Sequence, residues 1–388
     1  MAVLRHSTAG ESHGQALIAL IEGMPAGVTL PVERINCELA RRQGGFGRSG
    51  RQRIEADRAN ILSGIRKNVT LGSPIAVQIT NKDWRIDDAP PIHRPRPGHA
   101  DLAGSLKWLT TDCREPLERA SARDTAARVA AGAIARCLLD EFSIQVVGYV
   151  CRIGSVAATI DPMCPPARLV AIRDANEVYC PDATVVDEML AIIRQAAKDG
   201  DTVGGWVEVQ VHGLCPGIGS CSRWQDKLDG RLVQAVGSIQ AIKGVEIGGG
   251  FELGKLPGSQ VHDEIDYDPA LRDTPCLGFT RRSNRAGGLE GGMSNGQAII
   301  VRAVMKPIST LVHGLDSVDL LTKQPARCVY ERSDVCAVPA ASVVAENVVA
   351  FEIARAFLEK FGGDTLREVQ AAYHAYLAMA RGLGNEPR

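Results

Sequence analysis

Apolar residues along the chain recur with two periods, and their alternation predicts the elements. Residues 15–23 (QALIALIEG) form a short apolar stretch that reads as a strand ending in the turn Gly23-Met24-Pro25-Ala26-Gly27. Beyond Pro31, the residues Val32, Ile35 and Leu39 share one helical face, and proline suits a first helical turn. The helix predicted there runs out at Gln43-Gly44-Gly45. Residues 74–80 (PIAVQIT) read as a strand, and Ser121-Ala122-Arg123-Asp124 has capping-box spacing before an alanine-rich helix over 122–141. A strand over 143–150 follows. Thr184 to Asp187 look like a second cap, for a helix that reaches Lys198 and stops at Gly200.

Residues 205–211 (GWVEVQV) alternate as a half-buried strand does, then enter Gly213-Leu214-Cys215-Pro216-Gly217 and a helical segment over 224–242. A further alternating strand covers 297–304 (QAIIVRAV). Strand, glycine–proline turn, helix and strand thus occur twice in the same order. That order is what a duplicated β–turn–α–β unit gives, and also what two unrelated αβ units sharing common punctuation give. Two helices, 342–361 and 364–382, close the chain around Gly362-Gly363. No low-complexity linker divides the sequence, so residues 1–388 read as one domain.

The 388 residues are 45% hydrophobic and 23% charged with net charge −1, an ordinary globular balance with no global signal for nucleic acid or a membrane surface. No apolar run approaches the roughly 18 residues of a spanning helix. The start Met1-Ala2-Val3-Leu4-Arg5-His6 lacks the apolar core of an export signal, which places the protein in the cytoplasm. The 11 cysteines are scattered without a C-x-x-C pair, as reduced thiols are, and no histidine has metal-ligand spacing.

Charge is concentrated locally. Gly10-Glu11-Ser12-His13-Gly14 and Arg94-Pro95-Arg96-Pro97-Gly98-His99-Ala100-Asp101 each mount a histidine on a turn shaped by glycine or proline. Imidazole titrates near neutrality, which suits proton donation and acceptance. Between them Arg41, Arg42, Arg48, Arg51 and Arg53 alternate with Gly44, Gly45, Gly47 and Gly50. Guanidinium forks bind phosphate and carboxylate in pairs of hydrogen bonds, so this loop points to a small polyanion. A loop for RNA would carry interleaved aromatics, and here Phe46 stands alone. Arg119-Ala120-Ser121-Ala122-Arg123 opens a helix whose free amides favour phosphate, although Ser121 also reads as a plain N-cap. Lys306-Pro307-Ile308-Ser309-Thr310 adds an ammonium and two hydroxyls at a strand end. Gly248-Gly249-Gly250 and the run Gly287 to Gly296 look like loops beneath a flat ligand. No G-x-G-x-x-G opens a helix after a strand, so a Rossmann nicotinamide site is not predicted. In Arg332-Ser333-Asp334 the carboxylate reads as half of an ion pair unless a partner faces it across a site.

Taken together, GESHGQALIALIEGMPAG, RRQGGFGRSGR, RPGHADLAG, ERASARDTAARVAAGAIAR, GSIQAIKGVEIG, SNRAGGLEGGMSNG, MKPIST and RSDVCAVPAASVVAE resemble the chorismate synthase family, in order from residue 10 to 346. The resemblance implies an α+β fold, a four-layer α–β–β–α sandwich with an internal two-fold repeat, assembled as a homotetramer. It implies a lyase that eliminates phosphate from 5-enolpyruvylshikimate 3-phosphate to give chorismate, using reduced FMN without net redox change. It implies His13 as the acid for the leaving phosphate, His99 as a proton donor to the flavin, and Asp334 as proton acceptor, assisted by Ser12 and Ser121. Arg42, Arg48, Arg96, Arg123 and Arg332 would clamp substrate anions, with Arg42 and Arg48 also matching positions linked to NADPH. FMN would lie against Arg119, Ala120, Ser121, Gln240, Ala241, Gly291, Lys306, Pro307, Ile308, Ser309, Thr310 and Arg332. Lacking a dinucleotide fingerprint, the chain is expected to rely on an external reductant for its flavin. Two other readings carry different chemistry: a catalytically silent flavin- or polyanion-binding protein on the same scaffold, and a metal-dependent phosphatase. Chorismate formed from substrate and reduced FMN without added metal separates all three.

Overall fold

The repeated order of strands and helices is a duplication. In the computed structural model, which describes residues 3–50, 55–161, 164–328, 330–331 and 333–383, the first copy comprises β1 (Arg5–Ala9), β2 (Ala16–Glu22), α1 (Val32–Gln43), β3 (Ala59–Ile61) and β4 (Ile75–Thr80). Beyond two short helices, α2 (Asp101–Trp108) and α3 (Arg114–Ala120), it ends with α4 (Thr125–Asp140). The second copy starts at β5 (Gln145–Ile153), makes an excursion through α5 (Pro166–Asp174) and α6 (Val186–Lys198), and resumes at β6 (Gly205–His212). It continues through α7 (Leu228–Gly237), β7 (Ile242–Ile247), β8 (Ile299–Met305) and α8 (Val338–Lys360). A last helix, α9 (Leu366–Gly382), follows.

Both sheets are antiparallel and have the same strand order, β1-β2-β4-β3 and β5-β6-β8-β7, the second extended beyond β5 by the two-residue strand Val156–Ala157. The likeness reaches individual hydrogen bonds. Thr70 Oγ1 donates to Pro25 O at 2.6 Å and accepts from Val28 N at 2.9 Å. Ser294 Oγ donates to Cys215 O at 2.7 Å and accepts from Ile218 N at 2.9 Å. Of the two origins the sequence left open, such matching turns favour duplication.

The layers run β–α–α–β, which inverts the expected α–β–β–α order while keeping the α+β class and the internal repeat. Helices α1 and α4 cover one face of the first sheet, α7 and α8 cover one face of the second, and α4 packs directly on α8. Helix α8 shows why. Almost every residue from Val338 to Leu358 is buried, so its whole circumference needs covering, which an outer layer cannot provide. Strands such as β4, at Ile75, Val77 and Ile79, and β8, at Ile299, Val301 and Ala303, bury one face only, whereas β5 is buried on both because Val147 and Tyr149 pack on Leu169 of α5. An antiparallel sheet of that kind belongs outside.

A buried ionic cluster ties the inner layers together. Glu346 of α8, fully buried, accepts from Arg41 of α1 and Arg136 of α4, each at 2.8 Å, and from Arg173 of α5 at 3.4 Å. Glu38 shares Arg41 at 2.8 Å and Arg136 at 3.0 Å, and accepts from Asn347 at 3.1 Å. Helix α9 joins the two equivalent turns, since Leu366 N donates to Ala26 O at 2.8 Å and the Tyr376 hydroxyl donates to Pro216 O at 2.8 Å.

Element ends differ from the sequence reading in physical detail. Ser121 caps, but it caps a 3-10 turn over Ala122–Asp124, accepting from Arg123 N at 3.2 Å, and α4 begins at Thr125. Asp182 supplies the second cap in place of Thr184. The predicted helix over 224–242 is a 3-10 turn at Trp224–Asp226 followed by α7. The glycine-rich runs lie against each other. A Cβ on Gly287 would fall 2.4 Å from Gly248 Cα, so glycine there answers to backbone crowding.

Candidate active site

The β1–β2 turn presents Ser12 and His13. Gly10 permits its tight entry, with φ at +102° and a hypothetical Cβ only 2.2 Å from Ala16 O. Asn81, just past β4, fixes the turn by donating from Nδ2 to Gly14 O at 2.7 Å and to Glu11 O at 3.2 Å. His13 Nδ1 lies 2.8 Å from Glu118 Oε1, and His13 N donates to Glu118 Oε2 at 2.7 Å. Burial alone would push the Glu118 carboxyl up, but the His13 hydrogen bonds and Arg114 hold it below the ordinary range. An ionised carboxylate only accepts, so Nδ1 carries the proton and Nε2 is left for the cavity.

The second histidine is held the same way. Asp101, fully buried at the start of α2, accepts a hydrogen bond from His99 Nδ1 and a fork from Arg96, whose Nε donates to Oδ2 at 2.8 Å and Nη2 to Oδ1 at 3.1 Å. Burial opposes ionisation of Asp101, yet these bonds hold its carboxyl far below the usual range. Arg96 Nη1 also donates to Thr310 Oγ1 at 3.1 Å. The expected substrate clamp Arg96 therefore spends its fork on supporting His99.

Four cationic side chains face the same space. Arg42 and Arg123 share the buried Asp57, each at 2.7 Å, and Arg123 Nε donates to Asn81 Oδ1 at 2.9 Å. Burial pulls the Arg42 guanidinium down to about 10, opposed by Asp57 and reinforced by Arg123. Arg48 Nη1 pairs with Asp334 Oδ2 at 2.9 Å, and Ser49 N donates to Asp334 Oδ1 at 2.6 Å. That pairing supplies the partner across the site that Asp334 lacked in sequence. Lys306 Nζ donates to Gly98 O and so ties its strap to the His99 loop. Buried Arg42 Nε, Arg48 Nε and Arg123 Nη2 find no hydrogen-bond partner among the described residues, and neither does Gln240 Oε1. Orphaned donors in an arginine-rich cavity call for an anion to satisfy them.

The cavity measures about 560 Å³, within the ~300–1,000 Å³ of small-molecule sites. One wall is Ile239-Gln240-Ala241, where Ala241 is held left-handed at φ +66° while Lys306 N donates to its carbonyl at 3.0 Å. The strap 306–310 leaves the end of β8 beside it, and Ala120 and Ser121 stand at the α3–α4 junction. Ala337, Ala340 and Ala341 bring the small apolar start of α8 to the cavity, a surface a planar ring can lie against.

Ser12, His13, Arg42, Arg48, Arg96, His99, Arg123 and Asp334 thus converge on one cavity, together with Ala120, Ser121, Gln240, Ala241, Lys306, Pro307, Ile308, Ser309 and Thr310. Two expected residues do not. Arg119 turns away and donates to Gly10 O at 3.0 Å, to Asp124 Oδ1 at 2.9 Å and to Thr8 O at 3.1 Å, locking the end of β1. Gly291 sits in the hairpin Leu289–Ser294, with the Met293 side chain as its near neighbour, outside the cavity lining. Arg332, Arg51 and Arg53 lie outside the described residues, and Arg41 serves the buried cluster. The sequence reading missed Glu118, Asp101, Asp57 and Glu55, the last a cavity-lining carboxylate 3.9 Å from Arg123 Nη2. For the last two a signal exists, since an acidic pair directly follows the arginine loop at Glu55-Ala56-Asp57.

Replacing Arg48 with lysine keeps the charge and removes the planar fork. Substrate binding is expected to weaken roughly tenfold, the scale of one charge-assisted hydrogen bond. Thermal stability should change little, because lysine keeps the positive charge that pairs with Asp334. Substrate titration beside a melting curve checks both, and unchanged affinity would remove Arg48 from the binding surface.

Two carboxylate-backed imidazoles among unsatisfied arginine donors define an enzyme that does acid–base chemistry on a small polyanion. The family model described as chorismate synthase matches residues 4–358. Curated relatives named chorismate synthase include those of Pelobacter propionicus, 53% identical over 98% of this chain and 100% of the relative, and Desulforamulus reducens, 52% identical with the same coverage. A solved structure described as "Crystal Structure of Chorismate Synthase" superposes with a TM-score of 0.80 at 39% identity, covering 99% of this chain and 100% of that one. The chain belongs to the chorismate synthase family, and its activity is that of a lyase.

Proposed function

We propose that the cavity converts 5-enolpyruvylshikimate 3-phosphate to chorismate and phosphate by 1,4-anti elimination, with FMN as the resident cofactor. The observation that carries this reading is the convergence of both carboxylate-backed histidines with Arg42, Arg48 and Arg123 on one cavity. The substrate brings a phosphate and two carboxylates, and FMN a further phosphate, which matches the guanidinium groups of Arg42, Arg48 and Arg123 in the cavity lining. Gln240, Ala241, Ser121 and the strap 306–310, with the small apolar start of α8, would hold the flavin. Reduced flavin held there would supply electron density for the elimination without net oxidation.

The residues divide the remaining work. Arg48, Arg42 and Arg123 orient the substrate anions. His13 Nε2 donates a proton to the departing phosphate as its C–O bond breaks. His99, backed by Asp101, holds a proton beside the flavin. Asp334, held by its ion pair with Arg48, receives the proton lost from the substrate ring. The apolar wall limits water, which strengthens each of these interactions. As in the family, we place the enzyme in the cytoplasm as a homotetramer.

Anaerobic incubation with the substrate, reduced FMN and no added metal should yield chorismate and phosphate in equal amounts. Phosphate without chorismate would indicate a phosphatase, and flavin binding without turnover a silent binder. With NADPH and oxidised FMN as the sole reductant system, no sustained chorismate formation is expected, because the flavin is supplied reduced from outside. Steady turnover under those conditions would show that this chain reduces its own flavin.

A further inference from the structure

Glu118 is a buried carboxylate with no substrate to meet. It sits one turn before the end of α3, 3% exposed, on the far side of His13 from the cavity. Leucine or alanine would fill such a place without desolvating a charge, and a buried carboxylate is retained only where its bonds offset that cost. Every polar contact recorded for it serves the His13 turn or anchors the carboxylate. Oε1 lies 2.8 Å and Oε2 3.1 Å from His13 Nδ1, and Oε2 accepts from His13 N at 2.7 Å. Its backbone carbonyl accepts from Ser12 N at 3.0 Å. Behind it stands Arg114, 3.7 Å from Oε1, itself fixed by Pro90 O at 2.7 Å and Glu331 Oε1 at 3.1 Å. The imidazole is thus gripped through main chain and ring at once, and the chain repeats the arrangement at His99 with Asp101 and Arg96.

We propose that Glu118 is the positioning residue for His13, fixing its proton on Nδ1 and stabilising the doubly protonated ring that precedes proton donation from Nε2. The proposal rests on the acid role given to His13 above. An acid that donates from Nε2 must carry protons on both nitrogens beforehand, and the Nδ1 proton needs an acceptor that cannot itself donate. An ionised carboxylate meets that need, and an amide meets it in only one of its two orientations. In Glu118→Gln the amide oxygen is claimed by His13 N, the closer of the two partners. The amide nitrogen then faces Nδ1, which must accept rather than donate. The ring is left with its single proton on Nε2, and the doubly protonated form loses its support. A wrong tautomer of this kind is a costly defect in catalytic dyads.

The test joins a spectroscopic and a kinetic measurement. Nitrogen-15 histidine spectra of the free protein, with the His13 signal assigned by its loss in His13→Gln, should report a protonated Nδ1 in the wild type. In Glu118→Gln the neutral His13 signal should move to the Nε2-protonated form. With substrate and reduced FMN, Glu118→Gln should lower kcat roughly tenfold to a hundredfold while KM stays within about twofold, since groups that orient a functional side chain act on that scale. His13→Ala combined with Glu118→Gln should be no slower than His13→Ala alone. A neutral wild-type His13 protonated on Nε2 alone would overturn the proposal even if the variant fails to fold. So would an unchanged kcat in folded Glu118→Gln, or additive losses in the double variant. If His13→Ala itself keeps full activity, the acid role fails instead, while the tautomer measurement still decides whether Glu118 positions the ring.

Discussion

His13→Ala and His99→Ala are each expected to lower turnover by roughly 10²-fold or more, the scale of losing a positioned general acid. Both rings stand at the cavity with Nδ1 bound from behind, so neither loss is made good by a neighbour already in place. Folding should survive. In His13→Ala the main-chain N–H still reaches Glu118 Oε2, and Arg114 still faces Oε1. In His99→Ala the Arg96 fork still satisfies Asp101. Anaerobic steady-state rates from pH 6 to 9, set against circular dichroism and melting curves, provide the check. A variant with near-native turnover across that range would lose its role as proton donor.

The largest effect on stability is expected at Glu346. Its carboxylate meets Arg41, Arg136 and Arg173 inside the helical layers, and Glu346→Ala leaves Arg41 and Arg136 with Glu38 and Arg173 with Asp174 as their main counter-charges. Removing one partner of a buried ionic cluster typically costs about 3–5 kcal/mol. A lower urea midpoint with an unchanged slope would show it. The cluster also sets a pH dependence. Burial would raise the Glu346 carboxyl, but Arg136, Arg41 and Arg173 hold it down at about 2. In the unfolded chain a glutamate titrates near ~4.3. The unfolded state therefore binds the proton first as pH falls. The stabilisation is complete above the unfolded value and is lost progressively as pH drops towards about 2. The stability gap between wild type and variant should accordingly narrow at low pH, and a constant gap down to pH 3 would contradict the cluster as the cause.

Local physics wrote most of the fold into the sequence. Strands such as β2, β4 and β8 alternate because one face meets helices and the other does not, and α1 shows its buried side at Ile35 and Leu39. Where burial is complete, periodicity vanishes. The start of α8 at Val338 reads only as an apolar run, so the sequence reading began that helix at 342. The same uniform burial places α8 in an inner layer, a fact that a motif resemblance does not carry. The site divides along similar lines. Histidines and arginines on glycine turns announce themselves, but Glu118 looks like any solvated helical glutamate, and its partner His13 lies 105 positions away. Asp101 is visible beside His99, yet nothing local says that it is buried. Arg119 and Arg41 show the converse, guanidinium groups that match an anion-binding pattern and are spent on backbone or on carboxylates.

Each half of the duplication leaves one long helix with an apolar flank that the other half covers, α4 against α8. A free half would turn that flank to water and need a twin to shelter it. Placing both on one polypeptide makes the meeting intramolecular, so no concentration term opposes it. It also releases the twins from having to stay alike. The connection between the first two strands remained a tight loop in one half, where it carries Ser12 and His13. In the other it lengthened into α5 and α6. Symmetry lost in the loops, over an interior that still remembers it, is what lets a single chemical centre form where two equivalent ones would otherwise compete.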